Sequence, residues 1–302
     1  MNSLQIATGF RKELWEFKKT LLWVPTLVAI ILLLVPLVPI LLTDNFQLNL
    51  VINKLTVLQQ NPPLRHTALG VQSAITSVFS PFIMASLFVQ LFYFISCLFD
   101  ERRDQSVIFW RSLPVSDFQT LAIKLVTGAL IIPAIFMLAA TVVVGIIIGF
   151  LLLASIALSL NYDVALWGYW AEAEIILNLI SIWINIFPYA LWLFPVYAWL
   201  MMTSMFANRT PFLWAVLPIA MVLLIESLVV AYLDLNRSFV AEALIDYLQL
   251  SSDLVPGSLS SYDSPKTALF SALLGKLSIV ATLIGCVFMY LTYWLRINRT
   301  AE

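Results

Sequence analysis

The stretch AIKLVTGALIIPAIFMLAATVVVGIIIGFLLLASI, residues 122–156, contains one charged side chain, Lys124, in an otherwise apolar run. A helix that crosses the hydrocarbon core of a bilayer needs about 20 such residues. Of the 302 residues in the chain, 62% are hydrophobic and 11% are charged, whereas a soluble domain is about half apolar and about a quarter charged. The sequence therefore predicts an all-α, polytopic membrane protein.

Six apolar runs are long enough to cross a membrane, and we expect six transmembrane helices in a single domain that covers residues 1–302. The third and fourth runs are longer than one crossing requires. Each is either a tilted helix with an extension or a span that hides a re-entrant piece, and eight crossings stay an alternative. The six runs are residues 21–43, 77–99, 122–156, 176–206, 211–233 and 268–295.

Basic residues are distributed unevenly between the two sides that six spans would define. Eleven of the sixteen Lys and Arg residues fall on one side, counting Lys124 at the start of the third span, four fall on the other, and Lys276 lies deeper within a span. Because loops rich in Lys and Arg remain in the cytoplasm, we predict that both termini and the segment 100–121 are cytoplasmic. The outer segments would then be residues 44–76, 157–175 and 234–267.

Residues 3–20, SLQIATGFRKELWEFKKT, have a different pattern from the spans. Apolar side chains recur on one helical stripe, while charged side chains cover the rest of the helix surface. This pattern favours an amphipathic helix in the headgroup layer, with Trp15 at the boundary. The alternative is an ordinary basic flank of the first span. The apolar stripe consists of Phe10, Leu14, Phe17 and Leu21.

The sequence contains few residues that could perform chemistry. It has one histidine, His66, and two cysteines, Cys97 and Cys286, which lie inside apolar runs without metal-ligand spacing. No G-x-x-x-x-G-K-[ST] motif for binding nucleotide phosphates occurs. We therefore expect no enzyme activity, no metal and no cofactor in this chain. The net charge of −1 gives no indication of nucleic-acid binding.

The most polar stretch is FDERRDQSVIFWRSLPVSDF, residues 99–118, which carries seven charged residues between two long apolar runs. Large apolar residues alternate with these charges. The pattern predicts a short helix along the inner surface, with one face against the bundle and the other free for a soluble partner. Pro114 would end this helix, and Ser116 or Asp117 would cap the next one.

This stretch resembles the segment between the second and third spans of ABC-2 type transporter permeases. The family pattern is an acidic–Arg pair, a short variable run, S-L-P-[VS]-S and a Lys about ten residues later. In this sequence the pair is Glu101 and Arg102, the S-L-P-V-S run is residues 112–116, and the Lys is Lys124. The overall layout is also similar to that family, with an N-terminal interfacial helix and a short turn between the fourth and fifth spans.

The resemblance implies that the chain is the membrane subunit of an ABC exporter in the cell inner membrane. Such permeases work as dimers, of identical or different chains, with two cytosolic ATPase subunits that bind ATP and Mg²⁺. The segment 100–121 would form a coupling helix seated in a groove of the ATPase, supported by the N-terminal helix around Phe10 to Phe17. The expected ATPase-contacting residues are Glu101, Arg102, Phe109, Trp110, Arg111 and Pro114.

Two other classes of function stay open from the sequence. One is a membrane-embedded scaffold or assembly factor without transport activity. The other is an intramembrane enzyme that acts on lipid, which is the weakest because no span holds a convergent set of Asp, His or Ser groups.

Besides Lys124 near the start of the third span, two charged residues lie inside predicted spans, Glu226 in the fifth and Lys276 in the sixth. Each lies about 10–12 Å from the outer end of its helix at 1.5 Å rise per residue. The matching depths predict a Glu226–Lys276 ion pair. The alternatives are that both side chains extend to the outer interface or that they contact substrate. Between these spans, the periodicity of residues 237–250 predicts a short helix on the outer side.

Overall fold

The computed structural model of the chain describes residues 3–36, 64–104, 116–162, 175–234, 237–249 and 273–299. Within these ranges every regular element is helical. A π-helical turn at Thr127–Ile131, here called the π-turn, joins α5 to α6. The α-helices are α1 Ser3–Glu16, α2 Lys18–Leu34, α3 Leu64–Ser96, α4 Phe99–Arg103, α5 Asp117–Val126, α6 Ile132–Tyr162, α7 Ile175–Ile184, α8 Ile186–Phe206, α9 Pro211–Tyr232, α10 Val240–Leu248 and α11 Ile279–Arg299.

Five helical stretches of the described chain are long and apolar enough to cross a membrane. Counting α1 and α2, which are separated by a break at Phe17, as one broken span brings the number to six. The all-helical class is confirmed, and the length and apolar character of these helices agree with a membrane protein. The count of six spans stays a prediction, because the first predicted span continues beyond the described residues. The five stretches are Ser73–Arg103, Asp117–Asn161, Ile175–Phe206, Pro211–Tyr232 and Ile279–Asn298.

The chain divides into two compact units. The first unit contains residues 1–16, 88–132 and 185–302. In it, α8 packs along α11 and also contacts α9 and the π-turn, while α5 packs against α1 and α11. Its core is built from large side chains such as Phe94 and Tyr197, whose rings stack with centroids 4.5 Å apart.

The second unit contains residues 17–87 and 133–184, which include α2, the first part of α3, most of α6 and all of α7. Phe79 of α3 and Phe136 of α6 are almost completely buried. Trp183 of α7 donates a hydrogen bond from Nε1 to Thr141 Oγ1 of α6 over 3.1 Å. The indole N–H, which would otherwise lack a partner in an apolar environment, is thereby satisfied.

The π-turn lies directly before Pro133, and the proline accounts for it. A proline ring inside a helix clashes with the carbonyl four residues earlier, which here lies within the π-turn. The N–H of Ile132 donates instead to the oxygen of Thr127, five residues earlier. In that register the oxygen of Gly128 would accept from residue 133, which has no N–H. Gln90 of α3 donates from Nε2 to this oxygen over 2.9 Å and satisfies it.

Gly128 permits a close approach of the π-turn to α3. A Cβ atom at this position would lie 2.2 Å from the ring of Phe94, so only glycine fits. Tyr189 of α8 donates from its hydroxyl to Gln90 Oε1 over 3.1 Å, which joins a third helix to the same amide. The π-turn is therefore held by a buried polar contact, and it continues directly from α5, the helix that carries Lys124.

Candidate functional site

Among the described residues, six charged side chains from four helices meet in one place, which we call the ionic cluster. Three of them are positive and three are negative, so the cluster is neutral as a whole. Its members are Lys12 and Glu13 of α1, Glu101 of α4, Asp117 and Lys124 of α5, and Arg296 of α11.

Lys124 lies at the centre of the ionic cluster. Its Nζ atom is 2.9 Å from Glu13 Oε1 and 3.1 Å from Glu101 Oε1. Lys12 also reaches Glu101 Oε1, over 2.9 Å. One carboxylate oxygen of α4 thus bridges ammonium groups of α1 and α5.

Arg296 connects the last helix to the same cluster. Its Nη1 atom is 3.3 Å from Glu101 Oε2, and its Nε atom donates to Asp117 Oδ1 over 2.8 Å. The second oxygen of Glu13 accepts a hydrogen bond from the hydroxyl of Tyr93 of α3, over 2.8 Å. With Tyr93 included, the cluster joins five helices, and both oxygens of each glutamate are engaged.

The central members of the cluster are shielded from solvent. Lys124 has no exposed surface, and Glu101 is 3% exposed. Moving an ion from water into a protein interior costs roughly several kcal/mol, and partners of opposite charge are needed to offset this cost. Glycine brings two of the helices together, since a Cβ atom on Gly9 of α1 would lie 2.6 Å from Ile123 of α5. This close contact allows Glu13 to reach Lys124.

α4 is held to the end of α8 by a reciprocal set of hydrogen bonds. Ser204 Oγ of α8 accepts from the backbone N–H groups of Leu98 and Phe99, over 3.3 and 3.0 Å. Arg102 donates in return to the carbonyl oxygens of Ser204 and Ala207, at the carboxyl end of α8. These bonds satisfy groups that helix ends leave without partners, and the cation also lies favourably at the negative end of the helix dipole.

An open pocket of about 170 Å³ lies between α4 and the turn that follows α8. Its wall combines an aromatic ring, two guanidinium groups and a side-chain amide. Such a surface can accept a polar side chain of another protein. The lining residues are Phe99, Arg102, Arg103, Ala207 and Asn208.

The predicted partner-contacting residues divide into two groups. Glu101 forms ion pairs inside the ionic cluster, and Arg102 donates hydrogen bonds to the carboxyl end of α8. The sequence instead predicted that both side chains contact the ATPase. Ser116 accepts from the backbone N–H of Gln119 over 3.2 Å, so its predicted role as an N-cap is confirmed. The other four predicted residues, Phe109, Trp110, Arg111 and Pro114, lie outside the described residues.

Glu226 and Lys276 bind the two ends of α10. The carboxylate of Glu226 accepts from the first backbone N–H groups of α10, including that of Ala241 over 2.9 Å. Lys276 Nζ donates to the carbonyl oxygen of Asp246, near the other end, over 2.6 Å. A negative charge at the amino end of a helix and a positive charge at its carboxyl end both stabilise it. Where the sequence predicted an ion pair, α10 lies between the two charges.

α10 itself agrees with the helix predicted within residues 237–250. Asp234, with a φ of 48°, lies in the turn between α9 and α10, a backbone conformation that aspartate tolerates better than most residues. Trp192 of α8 donates from Nε1 to the oxygen of Tyr247 over 3.0 Å, and the hydroxyl of Tyr247 donates back to the oxygen of Trp192. α10 is therefore fastened to α8, to α9 and to the segment before α11.

The described part of the chain contains no group of three His, Cys, Asp or Glu side chains arranged to hold a metal ion. The ionic cluster contains no nucleophile next to a base, and its carboxylates are neutralised by cations. The cluster is suited to holding helices together, because opposite charges attract strongly in a low-dielectric surrounding. The chain matches no protein-family model, no curated protein and no solved structure in the comparisons.

Sequence reasoning did not identify four members of the ionic cluster, which are Lys12, Glu13, Asp117 and Arg296. One signal was available, because Lys124 lies near the start of the longest apolar run and a buried ammonium group needs a carboxylate. The amphipathic helix before the first span carries candidate carboxylates, but its pattern does not indicate which of them faces the protein.

We expect the replacement Lys124→Met to destabilise the protein strongly, because Glu13 and Glu101 would then repel each other in a buried site. The expected loss is about 3–5 kcal/mol, or a fall of about 10 °C in Tm, measured by thermal unfolding in mild detergent. The matched control is Arg103→Met, which breaks the ion pairs of a largely exposed side chain with Asp100 and Asp104 and should cost no more than about 0.5 kcal/mol. Equal Tm values for the two variants would contradict the cluster.

Because Glu226 and Lys276 bind opposite ends of α10, we expect a specific result when their charges are reversed by substitution. Glu226→Lys and Lys276→Glu should each lower Tm, because each puts the wrong charge at one end of a helix. The double variant should lose as much as the two single variants together. Recovery of Tm in the double variant would instead indicate a direct ion pair.

Proposed function

We propose that this chain is the membrane-spanning permease subunit of an ABC-2 type exporter. It would move substrate across the cell inner membrane with ATP hydrolysed by a separate cytosolic subunit. It would work as a dimer with a second permease copy, with both termini in the cytoplasm. The six-span layout and the coupling role of residues 100–121 belong to the same proposal.

The observation that carries this proposal is the attachment of the polar segment 105–115 at both of its ends. Glu101 of α4 lies just before the segment, and Asp117 and Lys124 of α5 lie just after it. All three belong to the ionic cluster, which also contains side chains of α1 and α11. A force applied to the segment would therefore reach four helices through short, buried bonds.

The residues of the family pattern that the structure describes support the proposal, since each of these has a structural task. Glu101 and Lys124 contact each other over 3.1 Å. Arg102 bonds to the carboxyl end of α8, and Ser116 caps α5. An element that transmits force needs such bonds to the neighbouring helices. A flexible surface loop needs none of them.

The docking surface follows from this division of tasks. Glu101 and Arg102 would anchor the segment from within, and the contact with the ATPase would fall on Phe109, Trp110 and Arg111. Aromatic residues and arginine dominate the binding energy of protein interfaces. The open pocket beside α4 could accept a polar side chain of the same partner.

The test is purification of the chain from its native host in mild detergent, with assay of ATP hydrolysis in the eluted complex. Trp110→Ala should weaken ATPase association by about 30-fold or more, because an interface hot spot contributes at least about 2 kcal/mol. The matched control is Trp170→Ala, the same substitution in a predicted outer segment, which should leave association unchanged.

Two results would contradict the proposal. One is the absence of any ATP-hydrolysing subunit from the complex, which would favour the scaffold or assembly factor. The other is equal ATPase association in the Trp110→Ala and Trp170→Ala variants, which would remove residues 105–115 from the interface.

A further inference from the structure

The chain crosses between its two compact units at four places, and three of these places are irregularities of a helix. The crossings follow residues 16, 87, 132 and 184. The first coincides with the break at Phe17, the third with the end of the π-turn, and the fourth with the break at Asn185 between α7 and α8. Hinges use a few residues at the ends of elements, and π-bulges mark bends inside helices. These three places are therefore where the chain bends most easily.

The remaining crossing, between Leu87 and Phe88, lies inside α3. This helix continues without interruption from Leu64 to Ser96. Its regular i→i−4 hydrogen bonds would have to lengthen if it bent. α3 is thus the stiffest of the four connections.

On the side of the first unit, every crossing is held by a polar contact. Gln90 donates to the oxygen of Gly128 over 2.9 Å and accepts from the hydroxyl of Tyr189 over 3.1 Å. These three residues, in α3, the π-turn and α8, each lie about one helical turn or less from a crossing. Glu13, just before the first crossing, belongs to the ionic cluster. All four crossings therefore start from fixed positions on the first unit.

We propose that the second unit moves as a body relative to the first, that the chain bends at Phe17, the π-turn and Asn185, and that Gln90 limits this movement. The oxygen of Gly128 depends on Gln90 for its partner, since the proline at 133 has no N–H. Loss of the amide would leave this oxygen unsatisfied in an apolar surrounding, which favours a rearranged π-turn. It would also loosen the start of α8, because the hydroxyl of Tyr189 would lose its acceptor.

This movement is a property of the chain alone and does not depend on the transport function. It is measured without ATP and without a partner. A chain that binds no ATPase can still show the movement, and a permease with rigid units can still bind an ATPase. The two proposals therefore fail separately.

The experiment measures distances between pairs of nitroxide labels on the purified full chain in mild detergent, by pulsed electron spin resonance. Cys286 is exposed and lies in the first unit, whereas Cys97 is buried and is replaced by alanine. The pair between the units combines Cys286 with Leu160→Cys, at an exposed position of the second unit. The pair within the first unit combines Cys286 with Tyr232→Cys. The pair within the second unit combines Ile30→Cys with Leu160→Cys, in a chain that also carries Cys286→Ala.

The distance distribution between the units should be broader than the two distributions within units. Gln90→Leu should broaden or shift it by about 5 Å or more, the size of a one-turn displacement, and should leave the two others unchanged. Tyr189→Phe removes one of the two bonds and keeps the ring, so it should act in the same direction with a smaller effect. It also replaces Gln90→Leu in the comparison if that variant does not fold.

The matched control is Tyr247→Phe, the same substitution at a residue away from every crossing. It removes a hydroxyl bond between α10 and α8 inside the first unit. All three distance distributions should stay unchanged in this variant.

Three outcomes would overturn the proposal. The first is a distribution between the units that is no broader than those within them. The second is an unchanged distribution in both Gln90→Leu and Tyr189→Phe, or equal broadening in Tyr189→Phe and Tyr247→Phe, since either would remove the role of Gln90. The third is a change within the second unit as large as the change between the units, which would show that the second unit does not move as a body.

Discussion

A lysine ammonium group without any exposed surface must keep carboxylates within bonding distance, and this constraint organises the described structure. Lys124 meets it with Glu13 of α1 and Glu101 of α4. Lys12, Arg296 and Asp117 complete a set of three positive and three negative side chains. The cost of separating any one helix therefore includes leaving a buried ion without its partner. Charge balance therefore holds α1, α4, α5 and α11 together.

The same constraint gives the proposed function a physical basis. Apolar helices in lipid slide past one another easily, since lipid tails are as apolar as their side chains. A motor outside the membrane needs a stiffer connection, and the ionic cluster provides one on both sides of residues 105–115. The π-turn begins three residues after Lys124, so a movement of α5 would be passed to the π-turn. There Gln90 bonds to the oxygen of Gly128. In the proposed function, mechanical work would pass along this path from the ATPase to the helices of this chain.

The all-helical class and the apolar helices could be predicted from the sequence because length and composition alone decide them. The cap at Ser116 and the short helix before the last span followed from local spacing. The ionic cluster could not be predicted in the same way, because its bonded side chains are 89, 111 and 195 residues apart. The contact between Glu226 and Lys276 was inferred from equal depth, which gives distance along the membrane normal but not across it, and α10 occupies that lateral space.

The central claim is that one cluster of charges makes α1, α4, α5 and the carboxyl-terminal part of α11 a single cooperative unit. Hydrogen exchange of backbone amides, followed by mass spectrometry of the purified protein, tests it directly. Amides of these four helices should exchange slowly at similar rates, and substitution of Glu101 by Gln should accelerate all four together. Rapid, independent exchange of α1 while α5 and α11 stay protected, or acceleration confined to α4 in the variant, would contradict the account.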